Sequence, residues 1–294
     1  MLIARLIAET GKCETSLDAL VAALGGAGAR VMAAALPEGD AGVLELHMEG
    51  GEEAEVLAAI DSTFDATAML VARGPIEVPR LFVSDMDSTM IGQECIDELA
   101  DYANLKPQIA AITERAMQGE LDFEAALRER VALLAGLEEI AIAQCLADRI
   151  TATPGAKTLV ATLAALGTRT VLVTGGFHHF ADPVAEMLGF HRVVGNRLAV
   201  EDGKLTGGLI GPITDSAVKA AVLHEELGNL GEGAHSLATG DGANDIPMIA
   251  AATYGFAYRA KPKARAAANG RVDGEDLTAV LTLLGVPEDQ WIIA

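Results

Sequence analysis

The chain has 294 residues, 51% of them hydrophobic and only 4% aromatic, so Ala, Leu and Val must build its core. A formal net charge of -21 sets it against nucleic acid and anionic membrane surfaces, both of which would repel it. An anionic substrate would then need local positive charge from a metal, a lysine, an arginine or a helix N-terminus. No apolar run reaches the roughly 18 residues of a membrane span, and the opening MLIARLIAET lacks the pattern of a secretory leader. Cys13, Cys95 and Cys145 are odd in number and widely spaced, without disulfide or zinc spacing. The expectation is a soluble, cytoplasmic protein.

Residues 1–76 read as a small separate unit. Leu2 to Ile7 is a strand, Ser16 caps a helix towards Leu24, and GGAGAR ends it. Val31 to Ala35 and Val43 to His47 are two strands joined by the turn PEGDAG. Glu52 to Ile60 is helical in pattern, and Ala66 to Val71 closes with a strand. The order βαββαβ predicts an α+β ferredoxin-like sandwich, and ARGPIEVPR, with two prolines, is the expected linker.

Residues 77–294 follow another grammar. LFVSD, TVLVTGG and HSLATGD are short apolar runs ending in polar residues or glycine, with helical stretches between them. This alternation predicts a doubly wound parallel α/β sheet, whose ligands bind at the carboxyl ends of its strands. The helical stretch at about 92–153 is too long for a simple crossover and reads as a cap inserted over the site. RLAVEDGKLTGG alternates around Asp202-Gly203 and predicts a β-hairpin.

The candidate chemistry sits at those strand ends. In DMDST, Asp85 and Asp87 are separated by one residue. The first can attack phosphorus and the second can pass a proton to the leaving alkoxide. A carboxylate facing a phosphate dianion is repelled unless a hard cation such as Mg2+ intervenes. Taken alone, the pair reads equally well as solvated loop acids or a helix cap. GDGANDIPM carries Asp241, which can supply a second metal carboxylate, Asp245, which can support the shell around it, and Asn244, placed to reach substrate; alone it is an ordinary polar turn. Thr174 and Gly175 in VLVTGG offer a hydroxyl and bare backbone N–H groups to a phosphate, or simply a tight turn. Lys219 in TDSAVKAAVL falls near a helix start, where a cation opposes the macrodipole unless an anion is present; a solvated lysine is the commoner reading.

Taken in order, these motifs resemble the haloacid dehalogenase (HAD) superfamily of Rossmannoid phosphotransferases and, within it, the phosphoserine phosphatases. The likeness runs from about Leu81 to Leu281 and includes DMDSTMIGQECIDELAD, ITERAMQGELDFEAALRERVALLAGL, VTGGF, DGKLTG and GDGANDIPM. It implies hydrolysis of O-phospho-L-serine through an aspartyl-phosphate, the last step of serine biosynthesis. Asp85 is then the nucleophile and Asp87 the proton donor. Mg2+ is held by the Asp85 side chain, the Asp87 backbone carbonyl and Asp241. Thr174, Gly175 and Lys219 hold the phosphate. Glu94 meets the substrate ammonium, Arg130 grips its carboxylate, Met117 and Phe123 close over the ligand, and Asn244 touches it. Met117 and Phe123 also fit plain helical core, and Arg128 competes with Arg130, which the family spacing alone favours. The chain departs from the pattern in Thr174, where these enzymes usually carry serine, and in His178 and His179, which read as surface residues. The first unit is similar to ACT-like regulatory domains; such a module would take an amino-acid effector, and pairing between two copies would make a homodimer. The rival readings are transfer of phosphate to an alcohol such as homoserine, another small-metabolite phosphatase, and a regulatory protein with a decayed site.

Overall fold

The computed structural model describes every residue except 8, 9, 37–41, 65, 118, 119 and 294, and describes residues 10–16 and 117 by backbone alone. The PEGDAG turn therefore lies largely outside the described residues. The first unit comprises β1 (Leu2–Ile7), α1 (Thr10–Gly26), β2 (Ala29–Ala35), β3 (Val43–Gly50), α2 (Glu53–Thr63) and β4 (Ala68–Arg73). Its strands lie in the order β2-β3-β1-β4, every neighbour antiparallel. Leu20, Leu24, Val56 and Ile60 from its helices close a core with Leu6, Leu46, Met48 and Val71 from its sheet. The helix expected to start after Ser16 starts instead at Thr10. Once a helix is nucleated, each further residue gains a hydrogen bond at little cost, so propagation carried it past the local capping signal.

The second unit comprises β5 (Leu81–Ser84), α3 (Cys95–Tyr102), α4 (Lys106–Met117), α5 (Phe123–Ala132), α6 (Ile140–Arg149), α7 (Ala156–Ala165), β6 (Arg169–Phe177), α8 (His178–Leu188), β7 (Arg192–Glu201), β8 (Lys204–Ile210), α9 (Ser216–Leu230), β9 (Ser236–Gly240), α10 (Ile246–Ala251), β10 (Tyr254–Tyr258), α11 (Pro262–Ala267), β11 (Gly270–Val272) and α12 (Ala279–Leu284). Strands β11-β10-β9-β5-β6-β7 run parallel. Every residue of β5, β9 and β10 is buried, as expected of strands covered on both faces by helices. From β5 the chain moves one way to β6 and β7, then returns to β9, β10 and β11 on the other side. The crevice between β5 and β9 is thus the topological switch point, the place where such sheets bind ligands.

Helices α3 to α6 form the inserted cap. The Asp202-Gly203 hairpin is present, with Glu201 opposite Lys204 and both turn residues at positive φ. It props the cap: Gly136 N–H donates to Leu205 O at 2.8 Å, Leu205 N–H donates to Leu137 O at 2.9 Å, and Lys204 pairs with Glu138 at 3.0 Å.

The expected separate first unit has its own core but not its own sheet. β4 pairs antiparallel with β11, so a single sheet of 11 strands spans both units. An open edge strand exposes unpaired N–H and C=O groups, and β11 satisfies those of β4. The segment after β4 packs rather than dangles: Glu77 N–H donates to Tyr254 Oη at 3.0 Å. Among the described residues no helix is long and apolar enough to cross a membrane.

Candidate active site

A cavity of about 580 Å3 opens between the cap and the carboxyl ends of β5, β6 and β9. That volume lies within the roughly 300–1,000 Å3 of small-molecule sites. Asp85, Asp87, Thr174, Gly175, Asp241 and Asn244 line its floor, and Glu94, Phe123 and Arg130 line its cap side.

The floor is an assembly of buried charge. Lys219, on the first turn of α9, has its Nζ 2.7 Å from Asp85 Oδ1 and 2.6 Å from Asp245 Oδ1, with only 1% of its side chain exposed. Helix α9 is capped by Asp215, whose Oδ1 accepts from Val218 N–H at 2.9 Å. Burial draws the ammonium down, but Asp85 and Asp245 outweigh it and hold the lysine above its ordinary value. Asp85 Oδ1 also accepts from Met86 N–H at 2.8 Å, so the carboxylate is fixed in direction. Burial and the Asp245 charge push the Asp85 carboxyl well up, against the pull of Lys219. Asp245 has both oxygens engaged: Oδ1 by Lys219 and Oδ2 by Gly242 N–H at 3.0 Å.

Asp87 follows one turn position later, with Oδ1 accepting from Cys95 N–H at 3.4 Å. Burial, then the nearby Glu94 charge, raise its carboxyl to about 7. A group with that value holds a proton at neutral pH and can also release it, as a general acid–base residue must. Carboxylate oxygens of Asp85, Asp241 and Asp245 lie within 4.8 Å of one another. Burial and Asp245 raise Asp241 to about 6. Three crowded carboxylates facing one lysine, with burial and charge crowding raising Asp85 and Asp241, are a donor set that a hard divalent cation would relieve. With both oxygens of Asp245 engaged, and both donors of Asp85 falling on its Oδ1, Asp85 Oδ2 and the Asp241 carboxylate are left to such a cation.

On the phosphate side, Thr174 is buried and its Oγ1 accepts from Gly176 N–H at 2.8 Å. A Cβ added to Gly176 would come 3.2 Å from Asp87 Oδ2, and one added to Gly175 would come 3.3 Å from Phe123 Cζ. The glycines therefore allow both the acid and the cap aromatic to approach the loop closely.

On the cap wall, Glu94 accepts from Ser88 Oγ at 2.7 Å. Ser88 is held at a φ of 53°, a conformation most side chains avoid. Arg130 is half-buried; its Nε donates to Ala126 O at 3.3 Å, and its guanidinium makes no ion pair among the described residues. Burial lowers it against the pull of Asp97 and Glu94. Arg128 instead pairs with Glu124 at 2.7 Å on the exposed face of α5 and does not line the cavity, whereas Arg130 does. Met117 ends α4, and its side chain lies outside the described residues. His178 Nδ1 bonds Asp182 Oδ1 at 2.7 Å one turn along α8. The surface reading fails for His179, which is half-buried and whose Nδ1 is buried without a hydrogen-bond partner among the described residues.

A family model described as haloacid dehalogenase-like hydrolase matches residues 82–250. The chain belongs to the haloacid dehalogenase-like hydrolases. The matched range includes Asp85, Thr174, Lys219 and Asp241. The phosphoserine phosphatase of Albidiferax ferrireducens is 43% identical over 210 residues, which cover 69% of this chain and 89% of that one. A haloacid dehalogenase family hydrolase from Salmonella enterica superposes with a TM-score of 0.81 at 26% identity, covering 97% of this chain and 99% of that one. A probable phosphoserine phosphatase from Vibrio cholerae, in unliganded form, gives 0.72 at 31% identity, over 98% and 87%.

Sequence reasoning missed Asn196, Ser88 and Lys261, which touch or line the site from outside the quoted motif roles. Lys261 Nζ lies 3.9 Å from Asp241 Oδ2 at the cavity rim. Its only signal was a cation following a short strand, too common to single out.

Proposed function

We propose that this haloacid dehalogenase-like hydrolase is a phosphatase that cleaves O-phospho-L-serine to L-serine and inorganic phosphate. The observation that carries the reading is the charge layout of the cavity. Carboxylates and a buried lysine form a phosphoryl-transfer floor, while an acid, Glu94, and a guanidinium without an ion pair among the described residues, Arg130, face it from the cap. An ammonium and a carboxylate beside a phosphate ester match those two groups, and a planar guanidinium suits the carboxylate. The relatives named as phosphoserine phosphatases support the same substrate.

Asp85 attacks phosphorus as the ester P–O bond breaks, giving an aspartyl-phosphate. Asp87 passes its proton to the serine alkoxide. It then takes a proton from the water that attacks the aspartyl-phosphate, which releases phosphate and restores Asp85. Thr174 and the N–H groups of its loop hold phosphoryl oxygens, Lys219 offsets charge at Asp85, and Asn244 contacts the substrate. Asp85, Asp241 and the Asp87 backbone carbonyl would hold Mg2+, which supplies charge neutralisation at the phosphoryl group. Phe123 lines the cap side of the cavity and excludes water from the covered ligand.

Residues 1–76 are in this reading an ACT-like, ferredoxin-like regulatory module; the antiparallel order β2-β3-β1-β4 and the separate core support it. Free, buried Cys95 and Cys145 support a cytoplasmic setting.

Phosphate release measured over phosphoserine, phosphothreonine, phosphoglycolate and sugar phosphates tests the proposal. Phosphoserine should be the preferred substrate, chelator should abolish turnover and Mg2+ should restore it. Asp85→Asn should leave the fold intact and release no phosphate. Preference for a sugar phosphate, or full turnover in excess chelator, would overturn the assignment.

A further inference from the structure

We infer that Asn196 is a positioning residue for phosphate recognition: it clamps the Gly175–Gly176 peptide and so aims the Thr174 hydroxyl. Asn196 lies on β7 with only 1% of its surface exposed. A primary amide buried to that degree is costly unless both ends are bonded. Both are. Nδ2 donates to Gly175 O at 2.7 Å, and Oδ1 accepts from Thr214 N–H at 2.9 Å. Turning the amide over would set oxygen against oxygen and N–H against N–H, so the network fixes its orientation.

The other end of the same peptide is held as well, since Gly176 N–H donates to Thr174 Oγ1 at 2.8 Å. Asn196 grips the carbonyl of the peptide plane and Thr174 receives its N–H. The Thr174 hydroxyl is thereby committed as an acceptor on that side, and its own proton is directed elsewhere. Thr174 lines the cavity, where a phosphoryl oxygen can accept that proton. Gly195 makes the close approach feasible: a Cβ there would come 3.2 Å from Thr174 Cγ2 and 3.3 Å from Gly176 O. The second arm of Asn196 reaches Thr214, next to Asp215, the cap of the helix that carries Lys219. One side chain therefore ties the phosphate loop to the helix that carries the buried cation. Without it, the peptide plane can rotate and the hydroxyl loses its fixed direction.

The inference rests on the phosphatase reading for its meaning, but its test does not need turnover. Calorimetric titration of inorganic phosphate into the full-length protein with MgCl2 present is the primary measurement. Asn196→Ala, and Asn196→Leu of similar size but with neither donor nor acceptor, should each bind phosphate about tenfold more weakly or worse. Affinities for Mg2+ and for L-serine should not change. Catalytic efficiency on phosphoserine and on p-nitrophenyl phosphate should fall by the same factor, because both share the phosphoryl group. In a Thr174→Val background, Asn196→Ala should cost clearly less than it does in the wild type. Unchanged phosphate affinity in either folded variant would overturn the clamp. So would equal losses of phosphate, serine and Mg2+ binding, or additive losses with Thr174→Val. Wild type that binds phosphate but leaves phosphoserine intact would sink the functional assignment, while weakened phosphate binding by the variants would still support the clamp.

Discussion

Lys219 is buried between Asp85 and Asp245, and such an arrangement is a poor device for stability, because desolvation of the charges offsets most of their attraction. In the proposed function its value lies in chemistry, where a preset cation needs no reorganisation as charge shifts. In the same proposed function the cap residues Glu94 and Arg130 serve selection instead. Arg130→Ala and Glu94→Gln should sharply reduce turnover of phosphoserine while leaving aryl phosphates, which lack both partner groups, nearly untouched. An unmatched polar partner typically costs about 1–3 kcal/mol, so a tenfold to hundredfold drop in kcat/KM is expected from steady-state kinetics. Equal losses on both substrates would move these residues from specificity to fold. Asp241 gives a pH prediction. Its folded carboxyl, raised to about 6 from an ordinary 3.8, holds its proton more tightly than the unfolded chain does. That proton stabilises the metal-free fold at low pH, and the contribution is lost as pH rises through about 6. Mg2+ needs the ionised form, so the rise in Tm caused by Mg2+ should be large at pH 7.5 and shrink towards pH 5. A Mg2+ effect independent of pH would remove Asp241 from the metal set.

Strand ends, rather than strands, carry the functional elements, and their glycines decide how tightly each loop can fold back. At the end of β9, a Cβ on Gly240 would fall on the Asp245 carboxylate, which must pack there to hold Lys219. Gly240→Ala should therefore push Asp245 aside, cost about 1–3 kcal/mol by overpacking and reduce kcat at least tenfold. Thermal melts and turnover measured together check it; full activity would mean that the loop relaxes without releasing the lysine. The cap is a comparable case of an element positioned by another. Gly207 on β8 lies against Ala132 O, where a Cβ would come 3.1 Å away, so the hairpin can support α5 and through it Phe123 and Arg130.

Across the molecule, one sheet carries both units, and ion pairs reinforce its junction. Arg271 of β11, 5% exposed, pairs with Asp61 of α2 through two nitrogens, and Arg265 reaches Asp61 at 3.3 Å. Asp61 does not line the catalytic cavity. Asp61→Ala leaves a buried guanidinium with Asp273, 3.5 Å from its Nε, as its remaining carboxylate among the described residues. Stability should fall by about 1–3 kcal/mol, with kcat/KM for phosphoserine unchanged. Loss of activity at a temperature where the variant remains folded would mean that the first unit shapes the site across the sheet.

Local chemistry was legible in the residue order. Apolar runs ending in acid or glycine located Asp85, Thr174 and Asp241. Asp202-Gly203 marked the hairpin, and a long helical stretch marked the cap. Strand periodicity, turn residues and capping act within a few consecutive residues, so they leave their mark in the chain itself. Partnerships at a distance left no such mark. The bond from Lys219 to Asp245, the grip of Asn196 on Gly175 and the joining of β4 to β11 each link residues far apart in the chain. They exist because sheet order and side-chain packing bring those groups together, and many alternative pairings would have satisfied the same local pattern. A lone asparagine in an apolar strand reads as a defect until the fold supplies both of its hydrogen-bond partners.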